Sequence, residues 1–226
     1  MNALRPLVVE LVGPAGAGKS ELLKSLAGRD PSIRVNMGVW TIPGPLLVLG
    51  ALQVGTTTLG LFRASHAFLW EEAKCLIKLR ALHHQLQLHR CTGYRTVVYE
   101  EGPVFALGSL HTSAHQTAIK DGMASWWPGA LQQWARALDI VVSLDASNPI
   151  LARRIRARWY EHPVKGKSDA EIFAYLEQYR GAYARVVSEL QARHGPVVLS
   201  FRTDQGSTAQ IAEQLLTAFD SKRRAH

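Results

Sequence analysis

The sequence predicts an α/β protein, a parallel sheet covered by helices on both faces, in three layers. Three observations carry that expectation. Strand-like and helix-like segments alternate along the whole chain. The strand-like runs are nearly continuous in apolar character and lack the period-2 alternation of a half-solvated sheet. The first of them, LVVELVG, passes through a glycine-rich loop directly into a helical segment.

In chain order, LVVELVG (7–13) reads as a buried strand, and KSELLKSLAG after the loop as a helix that Gly28 can close. SIRVNMGVW (32–40) is a second, weaker strand. The residues 64–90 carry Phe68, Leu69, Leu76, Ile77 and Leu86 in an apolar stripe, which predicts one long helix. TVVYEE is a third strand, stopped by Gly102-Pro103. HTSAHQTAIKDGMASWWPG reads as irregular, and PGALQQWARAL as a helix with Pro128 near its start. DIVVSLD (139–145) is a fourth strand, and SNPILARRIRARWY a helix capped by Ser147 or Asn148. Ser168 with Glu171, and Ser207 with Gln210, are capping boxes that open the last two helices. VVLSF between those helices is the fifth strand. No internal repeat or linker interrupts the pattern, so residues 1–226 are expected to form a single domain.

Apolar residues make up 47% of the chain, which excludes a wholly disordered protein. A formal net charge of +8 favours anionic partners without choosing among them. Cys75 and Cys91 form no CxxC pair, so reduced thiols and a cytoplasmic location are the default. The N-terminal apolar run flows into the glycine loop and reads as a strand, not a signal peptide. From Val35 to Phe62 no residue is charged. That stretch is about as long as a membrane span, but its prolines and glycines break helical continuity. It reads as an apolar acceptor-side segment (35–63), a lip over a substrate or a surface that meets a bilayer or another chain.

GPAGAGKS, Gly13 to Ser20, fits G-x-x-x-x-G-K-[ST] at every fixed position, with a strand before it and a helix after it. Such a loop cradles phosphates: glycines let the backbone N–H groups turn inward at a helix N-terminus. Gly13, Pro14, Ala15, Gly16, Ala17, Gly18, Lys19, Ser20 and Glu21 are therefore the expected ATP-binding residues. Lys19 would reach the β- and γ-phosphates, and the Ser20 hydroxyl would ligate Mg²⁺. Glu100, at the end of the third strand, is the second expected metal ligand, or the acceptor of a substrate proton. Its neighbour Glu101 is a candidate substrate-side residue, and so is Arg63, the charge nearest the apolar segment.

Arg153, Arg154, Arg156 and Arg158 crowd one predicted helix. Leu151, Ile155 and Trp159 mark its core face; Arg154 and Arg158 share a flank, where guanidiniums could stabilise a transferring phosphoryl group. With HPVKGK they would form an Arg-rich lid over residues 150–168. GPAGAGKS, VVYEEGP and LDASNPILARRIRARWYEHPVKGKS together resemble the thymidylate kinase and deoxynucleoside kinase group of P-loop phosphotransferases. The resemblance implies the P-loop NTPase fold with strand order 2-3-1-4-5. It makes Glu100 the acidic residue of a strand-end pair, Arg154 and Arg158 lid arginines, and FRTDQ (201–205) the border of the adenine site. Glu101 stands where that group has Arg, and VWTIPGP replaces its nucleoside signature, so the acceptor is left open.

The function expected is an ATP- and Mg²⁺-dependent transfer of the γ-phosphoryl to a small-molecule acceptor: a nucleoside, a nucleotide or another metabolite. The alternative is a P-loop ATPase or nucleotide switch in which Glu100 holds metal and Glu101 activates water. Nucleic acid is disfavoured as a partner because no aromatics interleave a basic stripe. A homodimer stays open, and membrane contact through residues 42–62 is disfavoured. His111 and His115 lie four apart but have no third metal ligand nearby in sequence.

Overall fold

The computed structural model describes residues 5–89 and 93–224, with Cys91 outside them. The chain runs β1 (Leu7–Val12), α1 (Lys19–Arg29), β2 (Ile33–Met37), α2 (Gly44–Gln53), α3 (Gly55–Ser65), α4 (Trp70–His89), β3 (Thr96–Glu100) and α5 (Pro103–Thr112). It continues through α6 (Gln116–Gly122), α7 (Trp127–Ala137), β4 (Ile140–Asp145), α8 (Asn148–Arg156), α9 (Asp169–Gln191), β5 (Val197–Arg202) and α10 (Thr208–Arg224). The five strands form one parallel sheet in the order β2-β3-β1-β4-β5, as expected.

Successive strand residues point to opposite faces, and both faces are covered. Val8, Val12, Val97, Tyr99 and Val141 enter one core, packed by α4, α5 and α7. Leu7, Val9, Leu11, Val98 and Val142 enter the other, packed by α1, α8 and α10. Helix α9 serves both: Ile172 and Leu176 lie in the second core, Tyr183, Val186 and Leu190 in the first. Its start is fixed by the predicted capping box between Ser168 and Glu171, and the Ser207–Gln210 box forms in the same way. At the opposite edge from the glycine loop, Asp139 accepts from Arg5 at 2.6 and 3.1 Å and from the Val8 N–H at 2.8 Å.

Several local expectations fail for identifiable reasons. Helix α1 does not close at Gly28; it runs through to Arg29, and Asp30 caps it. The predicted single helix over 64–90 is broken: His66, at φ 53, ends α3, and α4 starts only at Trp70, leaving Phe68 exposed. The uncharged segment forms two short helices, α2 and α3, with Val54 between them. The stretch read as irregular contains α6, anchored by Ile119, and follows α5. Helix α8 ends at Arg156, so Arg158 lies in the turn beyond it, and Trp159 is 93% exposed instead of facing the core.

The strand β1 carries one charged residue, Glu10, and it is fully buried. Its carboxyl accepts from the N–H groups of Val104 at 2.8 Å and Phe105 at 3.0 Å, the unpaired donors of the first turn of α5. Burial pushes this carboxyl from 4.5 up to about 8 against those hydrogen bonds, so the folded chain holds a proton the unfolded chain releases. The associated stability is present below the ordinary carboxylate range and is lost as pH rises through about 8. Thermal melts should therefore show wild-type stability declining across that window. Glu10→Gln, which keeps an acceptor for α5 without the charge, should flatten the decline; parallel profiles for the two proteins would refute the assignment.

Candidate active site

The C-terminal ends of β1, β3 and β4 meet at one edge of the sheet, and a cleft of about 740 Å³ opens there. Residues 13–18 curl above β1. Gly13, Gly16 and Gly18 have φ of 145, 85 and 88°, a region closed to most side chains. At Gly13 the requirement is also spatial, since a Cβ would stand 2.1 Å from the Leu144 carbonyl. Helix α1 begins at Lys19 with no side-chain cap on its first N–H groups. Those donors and the positive end of the helix dipole face the cleft and suit an anion. Pro14 is buried behind the loop, while Ala15, Ala17 and Glu21 reach the wall of the cleft with the glycines.

The Lys19 ammonium folds back onto its own loop, 2.8 Å from the Gly13 carbonyl and 3.4 Å from that of Pro14. Burial lowers its pKa, and the charges of Glu101 and Glu100 oppose that shift. The Ser20 hydroxyl donates to Glu100 Oε1 at 2.5 Å, bringing together the two predicted metal ligands from different elements. Two hard oxygen donors side by side suit Mg²⁺. Among the described residues no cluster of three His, Cys, Asp or Glu side chains exists. His111 packs edge-on against Trp127 and His115 pairs with Glu72, so the two histidines serve different contacts.

Glu101 sits just past β3 at φ 58, a left-handed conformation that costs a non-glycine residue about 1–2 kcal/mol. The end of β2 clamps it there. The Val39 N–H donates to its carbonyl at 3.0 Å, and the Trp40 indole N–H donates to its carboxylate. Gly38 makes the clamp possible, because a Cβ on it would stand 2.0 Å from the Glu100 carbonyl. Trp40 is 72% exposed, with the Lys78 ammonium 3.8 Å from its ring centroid.

The arginines divide. Arg154 is held in place: it donates to the Gly16 carbonyl at 3.1 Å, to Thr203 Oγ1 at 2.9 Å and to the Thr203 carbonyl at 3.1 Å. It thus ties the phosphate loop to the FRTDQ segment, whose Thr203 lines the cleft. Arg158 also lines the cleft, with its guanidinium 5.2 Å from the Tyr160 ring centroid. Arg153 is exposed, and Arg156 pairs with Asp169 at 2.5 Å, away from the loop. Arg63, expected on the substrate side, is exposed on α3 and lines neither the cleft nor the cavity beside it. Its neighbours in sequence form a surface helix instead of folding over the site.

Sequence reasoning overlooked two features. Tyr175, Tyr179 and Tyr183 form a ladder on α9, ring centroids 4.7 and 5.8 Å apart, and all three line the cleft. Their i, i+4 spacing was the available signal. The second is a cavity of about 470 Å³ that shares Trp40, Phe105 and Tyr179 with the cleft. Glu72, Ser113, His115, Lys74 and Lys78 supply its polar wall. Burial opposes ionisation of Glu72, but the Ser113 hydroxyl at 2.5 Å and His115 at 3.1 Å hold its carboxyl below the usual range. On the far side of the cleft, His162 stacks edge-on against Tyr175, 5.6 Å between centroids. Its pKa is lowered by burial and by the cations Arg158 and Lys19.

No family model and no curated protein matches the chain. Solved structures do. A deoxyadenosine kinase from M. mycoides, with the products dCMP and a flexible dCDP bound, aligns at TM-score 0.55 and 13% identity over 95% of this chain and 100% of its own. With dATP bound, the same enzyme aligns at TM-score 0.54 over 93% and 99%. A shikimate kinase from Bacteroides thetaiotaomicron aligns at TM-score 0.50 and 19% identity over 93% and 98%. Phosphate loop, strand order and overall likeness agree: the chain has the fold of the P-loop kinases.

Proposed function

We propose that the chain is a phosphotransferase that moves the γ-phosphoryl of ATP to a small-molecule acceptor bound in the cavity beside the cleft. The observation that carries this reading is the Ser20–Glu100 contact at the mouth of the phosphate loop, beside a second cavity that opens across Trp40. In it the loop N–H groups and Lys19 hold the phosphates, with the Lys19 ammonium leaving its carbonyl partners for the anion. Mg²⁺, when bound, would be held by Ser20 and Glu100 and would neutralise charge on the phosphates. Arg154 holds the nucleotide side in shape through Gly16 and Thr203. Arg158, which lines the cleft and which no carboxylate engages among the described residues, would act on the transferring group. The 150–168 segment with His162 would serve as the lid that excludes water.

The bound state of Glu101 favours acceptor transfer over water activation. Its carboxylate is engaged by Trp40, which with Phe105 and Tyr179 walls both cavities, so it shapes the acceptor side. The ATPase reading needs the same carboxylate turned toward a water beside the γ-phosphate.

ATP consumption measured with and without a panel of nucleosides, nucleotides, sugars and polar lipids tests the proposal; acceptor-dependent turnover is the expected result. Lys19→Ala should lower turnover by about 10²–10³-fold with an unchanged melting profile. Arg158→Ala should lower kcat by roughly 10²-fold, Arg154→Ala should also raise KM for ATP, and Arg153→Ala should do little. Equal effects from all three arginines would reduce them to a basic surface.

Glu101→Gln separates the two activities. For acceptor transfer it should raise the acceptor KM and leave slow acceptor-free hydrolysis unchanged. A Glu101→Gln protein that retains stoichiometric, unhydrolysed ATP, where the wild type hydrolyses it without an acceptor, would establish the ATPase instead.

A further inference from the structure

Helices α2 and α3 leave most of their bulky apolar residues outside. A surface helix of a protein in water turns its bulky apolar residues inward and its polar residues outward. Here Leu61 is the bulky residue of the two helices that is buried, and the closest inward approaches are made by glycines. Gly50 approaches α4 so closely that a Cβ would stand 2.6 Å from the Ile77 carbonyl. Gly60 stands in the same relation to the Gly122 carbonyl of α6, also at 2.6 Å. The outward positions carry Val48, Leu49, Leu52, Leu59 and Phe62, between 38 and 78% exposed. Beyond α3 the chain adds Phe68 and Trp70, also exposed, with rings 5.8 Å apart. No glycine-mediated packing would be needed if these bulky side chains belonged to the core.

Between Val35 and the end of α3 the one charged side chain is a cation. From Val35 to Phe62 there is no ionisable side chain, and the first to follow is the exposed Arg63. On the adjoining helices, Glu71 is paired with Lys74 at 2.6 Å, Glu72 is buried and bonded to Ser113 and His115, and Lys120 and Asp121 are both exposed. An apolar face with exposed aromatics and a cation at its border matches the interfacial zone of a bilayer, where rings sit at headgroup depth and cations meet lipid phosphates. We infer that the outer faces of α2 and α3 seat this protein on an anionic lipid surface, lying within the headgroup layer.

Two other occupants fit less well. A transmembrane span would need a continuous apolar helix. Among the described residues no single helix is long and apolar enough, and α2 and α3 qualify only as a pair, bent by 61°. The inner sides of both are also committed to α4 and α6. A second copy of the chain, pairing face to face, would oppose Arg63 to a surface that offers no carboxylate of its own between residues 35 and 62. Lipid phosphates supply the missing countercharge.

This inference is independent of the phosphotransfer reading, and flotation with vesicles tests it separately. Wild type should float with vesicles of phosphatidylcholine and phosphatidylglycerol in equal parts, and less with phosphatidylcholine alone. Leu52→Gln combined with Phe62→Gln, at exposed positions, should reduce flotation by roughly tenfold. Arg63→Ala should reduce it by about fivefold on the anionic vesicles alone. Lys19→Ala should float as wild type does, whatever its turnover. Wild type that stays unbound with both vesicles would overturn the inference, as would variants that float unchanged. A concentration-dependent dimer in sedimentation velocity that the double substitution abolishes would assign the face to a second copy instead.

Discussion

The site depends on a hydrogen bond of 2.5 Å between residues eighty positions apart, Ser20 and Glu100. Neither side chain could find the other without the parallel register of β1 and β3, which sets Leu11 opposite Glu100. That register brings the start of α1 level with the end of β3. Close backbone approaches then fix it: Gly13 lies against Leu144 of β4, and Gly38 lies against Glu100 itself. Any side chain at either glycine would push a strand end away from the phosphate loop. The glycines of this edge therefore determine where two oxygens stand, as much as how a loop turns.

The cations of the cleft are held in reserve by neutral partners. Lys19 rests on two carbonyl oxygens, Arg154 on two carbonyls and a hydroxyl, and Arg158 against an aromatic ring. Had Glu100 or Glu101 captured Lys19 directly, an incoming phosphate would have to break a charge-assisted bond. Instead Glu100 is occupied by Ser20 and Glu101 by Trp40. Exchange of a carbonyl for a phosphate oxygen strengthens each contact the lysine makes. Arg154 differs because it spans two segments, 16 and 203, and moving it would release both.

What the sequence made legible follows from how local each signal is. The phosphate loop, the acid-tipped β3 and both capping boxes are written in adjacent residues, and each stands where it was expected. The arginine helix was only half legible. Leu151 and Ile155 predict its core face, but the same periodicity extended to Trp159 fails, because the helix ends at Arg156 before another turn forms. Proximity to an apolar stretch points to Arg63, but proximity in sequence does not tell which way a helix faces. The cavity around Glu72 was invisible because it is assembled from α4, α5 and the end of β2, with no motif in any of them. Glu10 was passed over as one polar residue in an apolar strand. Its meaning lies in the two N–H groups of α5 that it meets.

The uncharged segment shows the limit of hydropathy most directly. Its composition reads equally well as buried core, as span or as surface, and periodicity cannot decide because nearly every position is apolar or small. Side-chain size decides. Gly50 and Gly60 can face backbone at 2.6 Å only if they are on the inside with Leu61, which leaves Leu49, Leu52, Leu59 and Phe62 outside. The connection to the sheet is short, Gly38 to Pro43, and it is tied by Thr41 to Gly38 at 3.1 and 3.2 Å. Trp40 lies within that connection, bonded to Glu101 on one side and covered by Lys78 on the other. The tryptophan that walls both cavities is thus also part of the tether of the bent helix pair α2–α3. The position of α2 and the conformation of Glu101 are set through the same few residues.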